Sequence, residues 1–310
     1  MFPSRRDRDR LRNFARARFP ASSQTGRALR AGVRRLRHWG FLKYPGETDR
    51  FNFPQSPPTV SIIVPVYENV GITIHCINAI RTSATQVSYE IIVVDDGSSA
   101  RHSRRLAKLS GIRLLVLKQN VGYLLACNAA FAQARGDFIC LLNNDTLPQP
   151  GWLDALYENF ADPQVGLVGA KLVKPSGVLQ EAGGLIFSDG STTNYGAGQH
   201  PDDPRFAYRR EVDYCSAAAV LVRGALLNQL GGYDTRFKTA YYEDTDLSMS
   251  VRSLGYKVVY EPSAVVTHIE HGSYRKYAKK SPEELTATNR EIFLDKWRDD
   301  LAGLGRHDIG

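Results

Sequence analysis

The sequence predicts an α/β domain with a mostly parallel central sheet flanked by helices on both faces, preceded by a chemically distinct basic arm. Three observations carry this expectation. From residue 60 onward, apolar stretches rich in Val and Ile alternate with helical patterns, as in a parallel sheet whose strands are buried on both faces. Several of those strands stop at loops bearing carboxylates and amides, at the strand ends where open α/β sheets bind ligands. A further helix opens on Glu243, Asp244 and Asp246, three carboxylates within four residues.

The first strand, Val60-Ser61-Ile62-Ile63-Val64-Pro65-Val66, is halted by Tyr67-Glu68-Asn69, and a helix is expected over 71–83. A second strand over 90–94 ends in Asp95-Asp96-Gly97-Ser98, and a helix over 100–109 and a short strand over 112–117 follow. Helical spacing returns over 123–134. The strand over 137–142 then ends in Asn143-Asn144-Asp145-Thr146. Between Lys171 and Glu211 helical periodicity is lost and Gly, Asp and Asn accumulate, the composition of a small hairpin and loop insertion. The acidic helix runs to about Leu254, and two strands are expected over 257–260 and 264–267. The last helix, 282–301, turns Leu285, Ile292, Phe293 and Trp297 toward the domain. The domain is therefore 59–301, with halves at 59–146 and 147–301, between an arm and Pro-rich linker at 1–58 and a tail at 302–310.

Composition narrows the class. A hydrophobic content of 43% is ordinary for a soluble chain. No stretch approaches the roughly 18 uninterrupted apolar residues of a membrane span, and the Arg-rich start lacks the apolar region of a signal peptide. A cytoplasmic location is expected. Cys76, Cys127, Cys140 and Cys215 sit in apolar surroundings without metal-ligand pairing and are read as reduced core residues. Residues 1–50 hold fourteen Lys or Arg against four Asp or Glu, so the net charge of +8 belongs to the arm. Its Arg residues interleave with Leu, Phe, Val and Trp at loosely helical spacing. That suits the anionic inner face of a membrane, which would make the protein peripheral there. A solvated arm and a partner-docking segment are the competing readings, and nucleic acid is set aside as a partner.

Crowded carboxylates repel, and one of such a group can acquire a raised pKa that suits it to accept a proton near neutral pH. The competing reading is that Glu243, Asp244 and Asp246 only complement the positive end of a helix.

Taken in order, these loops resemble the inverting family 2 glycosyltransferases of the GT-A (nucleotide-diphospho-sugar transferase) fold. The stretches that carry the resemblance are Val64-Pro65-Val66-Tyr67-Glu68-Asn69, Val93-Val94-Asp95-Asp96-Gly97-Ser98, Asn120-Val121-Gly122-Tyr123 with Asn128, Leu141-Leu142-Asn143-Asn144-Asp145, Gly231-Gly232-Tyr233-Asp234, Glu243-Asp244-Thr245-Asp246-Leu247 and Val266-Thr267-His268. The span from Gly183-Gly184 to Tyr214-Cys215-Ser216 is similar to the branch that builds bacterial surface polysaccharides, rhamnosyltransferases among them. The resemblance implies transfer of a sugar from a nucleoside diphosphate donor, dTDP-rhamnose or a UDP-hexose, to a hydroxyl of a polysaccharide or lipid-linked saccharide acceptor, and it places the 171–211 insertion on the acceptor side.

The same resemblance implies roles. Asp244 is the general base and Glu243 its neighbour toward donor or acceptor, with Asp246 capping or bracing its helix. Tyr67 stacks on the base and Asp96 accepts a ring N–H, while Pro65, Glu68, Gly122, Asn128, Asn144 and Asp145 line the donor site. Asp145 and His268 hold a divalent cation, Mn²⁺ or Mg²⁺. The family's Asp-x-Asp element reads Asn143-Asn144-Asp145 here, which removes one charged ligand. Tyr195, Tyr208, Trp152 and Tyr242 either stack on sugars or pack in the protein. Basic residues at 273–280 either close over a diphosphate or are solvated. Two other classes stay open: a catalytically impaired nucleotide-sugar-binding scaffold, favoured by Asn143, and a nucleotidyltransferase, which would want a Gly-rich basic loop after the first strand.

Overall fold

The computed structural model describes residues 57–238, 240–270 and 281–302. The basic arm at 1–50, most of the linker, the 273–280 segment and the tail beyond 302 lie outside the described residues. The first strand, β1 (Val60–Val66), is buried along its whole length. Alternate side chains enter different layers, Ile63 on one face and Ile62 and Val64 on the other, as the two-residue period of a strand requires. The helix α1 (Val70–Thr82) leads to β2 (Tyr89–Asp95), and α2 (Ala100–Leu106) to β3 (Arg113–Val116). β1 pairs in parallel with β2, and β2 with β3. After α3 (Tyr123–Phe131), β4 (Phe138–Leu142) lies parallel on the other side of β1.

β5 (Thr146–Pro148) is followed by α4 (Trp152–Glu158), β6 (Val165–Val173), β7 (Leu179–Glu181) and the hairpin β8 (Gly184–Ile186) and β9 (Thr192–Asn194). β10 (Arg210–Glu211) precedes β11 (Ala219–Arg223), which runs antiparallel between β4 and β6. Its register sets Ala219 opposite Leu142, and the Asn143 N–H donates to the Ala218 carbonyl at 3.0 Å. The chain entering β11 is thus laid beside the loop that leaves β4.

The chain then forms α5 (Gly224–Leu230), α6 (Glu243–Ser253), the long strand β12 (Lys257–His268) and α7 (Pro282–Ala302). β12 is parallel to β6 and antiparallel to β5, with His268 opposite Thr146. The two strands expected over 257–260 and 264–267 are one strand whose register against β6 shifts between Glu261 and Val265. Pro262 lacks the N–H a regular ladder needs, so the irregularity falls where pairing is weakest. The sheet is therefore mixed, parallel around β1 and reversed at β11. The four cysteines are buried and unpaired.

Candidate active site

The carboxyl ends of β1, β2 and β4, the loop entering β11 and the start of α6 surround a cavity of about 690 Å³, within the usual range for small-molecule sites. On the β1–β2 side it is lined by Pro65, Tyr67, Asp96 and Gly122. Asp96 is held by the sequence that follows β3. Its Oδ1 accepts the Val121 N–H at 2.7 Å and its Oδ2 the Gly122 N–H at 2.9 Å. Burial nevertheless pushes its carboxyl upward. Its neighbour Asp95 has a structural task, accepting from the Ser98 N–H at 2.9 Å and from the Ser103 hydroxyl. Gly97 makes the turn at φ +70, and a Cβ there would meet Gln119 backbone at 2.3 Å, so no larger side chain fits.

Asn144 and Asp145 lie at the β4 end of the cavity. The Asn144 amide donates to Thr73 Oγ1 on α1 at 2.9 Å. The β5–β12 pairing brings His268 to Asp145, with Nε2 3.2 Å from Oδ1, while the Ile269 N–H donates to the Asp145 carbonyl at 2.9 Å. Asn143 Nδ2 is 3.5 Å from the same imidazole nitrogen. On the far side of the ring, Nδ1 lies 3.0 Å from Gln180 Nε2 and 3.1 Å from Gln180 Oε1, and the amide oxygen is an acceptor of the kind that orients a metal-ligating histidine. One carboxylate, one imidazole and an amide are residue types that could donate to a divalent ion, and an imidazole nitrogen suits Mn²⁺ better than Mg²⁺.

The opposite wall is built by α6. Tyr241 and Tyr242 both adopt left-handed backbone, φ +73 and +67, a costly conformation for bulky residues. It swings Glu243 and Asp244 onto the cavity at the first turn of the helix. Asp244 accepts the Thr245 N–H at 2.8 Å through Oδ1 and the Ala217 N–H at 3.4 Å through Oδ2. Burial raises both carboxyls, and for Glu243 the adjacent charge of Asp244 raises it further. Glu243 Oε2 is buried without a partner among the described residues. The two carboxyls differ in surroundings: Asp244 has N–H donors that favour its charged form, whereas Glu243 Oε2 has none among the described residues. Asp246 points away from the cavity and braces α7, accepting from Trp297 Nε1 at 2.7 Å and Lys296 Nζ at 2.9 Å.

Two expected donor-site residues are placed elsewhere. The Glu68 carboxylate turns to the start of α2, accepting from the Ser99 N–H and pairing with His102, because its φ of +62 reverses the chain there. Asn128 clasps the Gly232-Tyr233 turn, donating to the Tyr233 carbonyl at 3.0 Å and accepting its N–H at 2.8 Å. Of the aromatic candidates, Trp152 is core, its indole N–H donating to Ser83. Tyr195 packs on Phe206 and Arg210, Tyr208 is exposed beside Arg210, and only Tyr242 reaches the cavity. Sequence reasoning gave no role to Gln180, Glu181, Asn194 and Tyr214; the last three line the cavity. Asn194 and Tyr214 lie in the 183–216 span that carries the resemblance, whereas the polar pair Gln180-Glu181 before Gly183-Gly184 is the sole local sign of the other two.

Among relatives, an O-antigen biosynthesis protein, RfbC, of Myxococcus xanthus is 27% identical over 269 residues, which cover 80% of this chain and 21% of that protein. An N-acetylglucosaminyl-diphospho-decaprenol L-rhamnosyltransferase of Mycobacterium tuberculosis is 28% identical over 214 residues, 60% of this chain and 68% of the relative. Other relatives are also longer, the chain spanning 28% of one and 44% of another. In fold, the chain is similar to GalNAc-T7 crystallised with UDP, GalNAc and Mn²⁺, with a TM-score of 0.63 at 15% identity over 79% of this chain and 50% of that one. The model of glycosyl transferase family 2 matches residues 61–226, which run from β1 into α5 and supply every cavity-lining residue described above except those of α6, the turn before it and His268, and the chain belongs to that family.

Proposed function

We propose that the protein is an inverting glycosyltransferase moving a sugar from a nucleoside diphosphate to a hydroxyl of a bacterial polysaccharide or lipid-linked saccharide. The observation that carries the reading is the asymmetric Glu243–Asp244 pair, facing the cavity that Asp96 and Asp145 line from the other side. Tyr67 stacks on the base, and Asp96, fixed by two backbone N–H groups, accepts the imide N–H of a uracil or thymine ring. Asp145 and His268, with Asn143 beside them, would hold a divalent cation, which would supply positive charge for the departing diphosphate. Asp244 takes the proton of the attacking hydroxyl as the new bond to the anomeric carbon forms and the bond to the diphosphate breaks on the opposite face, inverting the centre. Glu243, protonated, leaves the negative charge of the pair on Asp244.

dTDP-rhamnose and UDP-hexoses are the donors to test first, since the relatives include an L-rhamnosyltransferase and the fold neighbour was solved with UDP. The experiment incubates the protein with a panel of nucleoside diphosphate sugars and acceptor glycosides, with Mn²⁺, Mg²⁺ or chelator, and scores diphosphate release beside Asp244→Asn. Release from one donor that Asp244→Asn abolishes supports the reading. Binding of a donor without release, with every acceptor present, favours a scaffold in which Asn143 has weakened the metal site.

A further inference from the structure

One buried carboxyl at the cavity has no part in the displacement. Glu181 ends β7 and is 1% exposed, yet it belongs to the cavity wall. Its Oε1 accepts the Ser216 N–H at 2.8 Å, whereas Oε2 is buried with no hydrogen-bond partner among the described residues. Leaving a buried oxygen unpaired costs stability, so such a group calls for a reason.

Its neighbours have the chemistry of a sugar site. Asn194 on β9 accepts the Tyr214 hydroxyl through Oδ1 at 2.8 Å, which leaves the amide N–H groups as donors, and both residues line the cavity with Glu181. The Tyr214 ring is set there by Gly184, where a Cβ would come within 2.0 Å of it. Burial, and secondarily the charge of Asp244, pushes the Glu181 carboxyl up to about 8. A carboxylic acid kept neutral both donates to and accepts from a hydroxyl, and adds no second negative charge beside the base.

We propose that Glu181, with Asn194, binds a second hydroxyl of the acceptor and thereby holds the attacking hydroxyl toward Asp244. The ligand class is a saccharide with at least two free hydroxyls, and the assignment rests on the transfer reading above.

The test measures transfer to a panel of octyl glycosides and, separately, UDP binding in the presence of Mn²⁺. Loss of one such hydrogen bond corresponds to about tenfold. Glu181→Ala and Asn194→Ala are expected to raise the acceptor KM by about that factor with a smaller change in kcat. Glu181→Gln, which keeps a neutral donor and acceptor, stays within about threefold of wild type, and UDP affinity is equal in all four proteins. An unchanged acceptor KM in Glu181→Ala overturns the assignment, as does a parallel loss of UDP affinity, which would mark a collapsed cavity. If Glu181→Ala does not fold, Asn194→Ala decides by the same criterion. Wild-type protein that binds UDP but transfers to none of the glycosides removes the transfer reading itself, and this assignment with it.

Discussion

At the scale of single residues, the proposed chemistry depends on how hydrogen-bond donors distinguish two buried neighbouring carboxyls. Asp244→Asn removes the proposed proton acceptor and keeps the shape, so diphosphate release should fall on the order of 10²–10⁴-fold with UDP affinity retained. Glu243→Gln preserves a neutral side chain and is expected to cost far less. Because burial raises Asp244, the acid limb of the kcat–pH profile should lie above the usual carboxylate range. Glu181 has a consequence for stability as well. Burial pushes its carboxyl up to about 8 from the ordinary 4.5, so the folded state holds a proton that the unfolded chain releases between those values. That contribution is complete below 4.5 and is lost as pH rises toward 8. The Tm of Glu181→Gln relative to wild type should therefore climb between pH 5 and pH 8, in melts recorded by circular dichroism. The motif around Asp244 was legible because three carboxylates in four residues are conspicuous. Glu181 was not, because a single Gln-Glu pair between apolar and small residues carries no spacing signal.

At the scale of elements, the acidic helix is positioned by the last one. Asn289 on α7 is 3% exposed and donates to the carbonyls of Ala240 and Tyr241 at 2.8 and 2.9 Å, clamping the left-handed turn that presents Glu243 and Asp244. Phe293 packs on the Tyr242 ring, and the Tyr242 hydroxyl donates to the Gly190 carbonyl at 2.8 Å. Asn289→Ala is expected to destabilise the fold by about 1–3 kcal/mol and to lower kcat on the order of tenfold or more by misplacing the base, with UDP affinity preserved; melting curves, steady-state kinetics and UDP titration read the three effects. The sequence predicts α7 with Phe293 and Trp297 inward, and the helix is so placed. What lies on the other side of that face was not readable, since an apolar stripe announces burial without naming its partner.

At the scale of the molecule, the Asp145–His268 pair joins residues far apart in sequence through the antiparallel pairing of β5 with β12, and Gln180 in the middle of β7 lies against the imidazole Nδ1. Gln180→Ala should raise the Mn²⁺ concentration needed for half-maximal release by about 10–100-fold, and His268→Ala by at least as much, in a metal titration after chelation. Among the described residues no helix is long and apolar enough to cross a membrane.

By itself the sequence determined the α/β class, the order of strands and helices to within a few residues, and the loops that meet at the cavity, because burial on both faces of a strand and the helical period are written into local composition. Only the tertiary structure decided which polar residues face the cavity. Asn128 and Glu68 lie in matching motifs yet spend their side chains on the Gly232-Tyr233 turn and the start of α2, whereas Glu181 and Gln180 arrive from a segment without a motif. A side chain's partner is set by strand register and by left-handed turns such as Tyr241-Tyr242, and these follow from packing across the whole sheet rather than from neighbours in the chain.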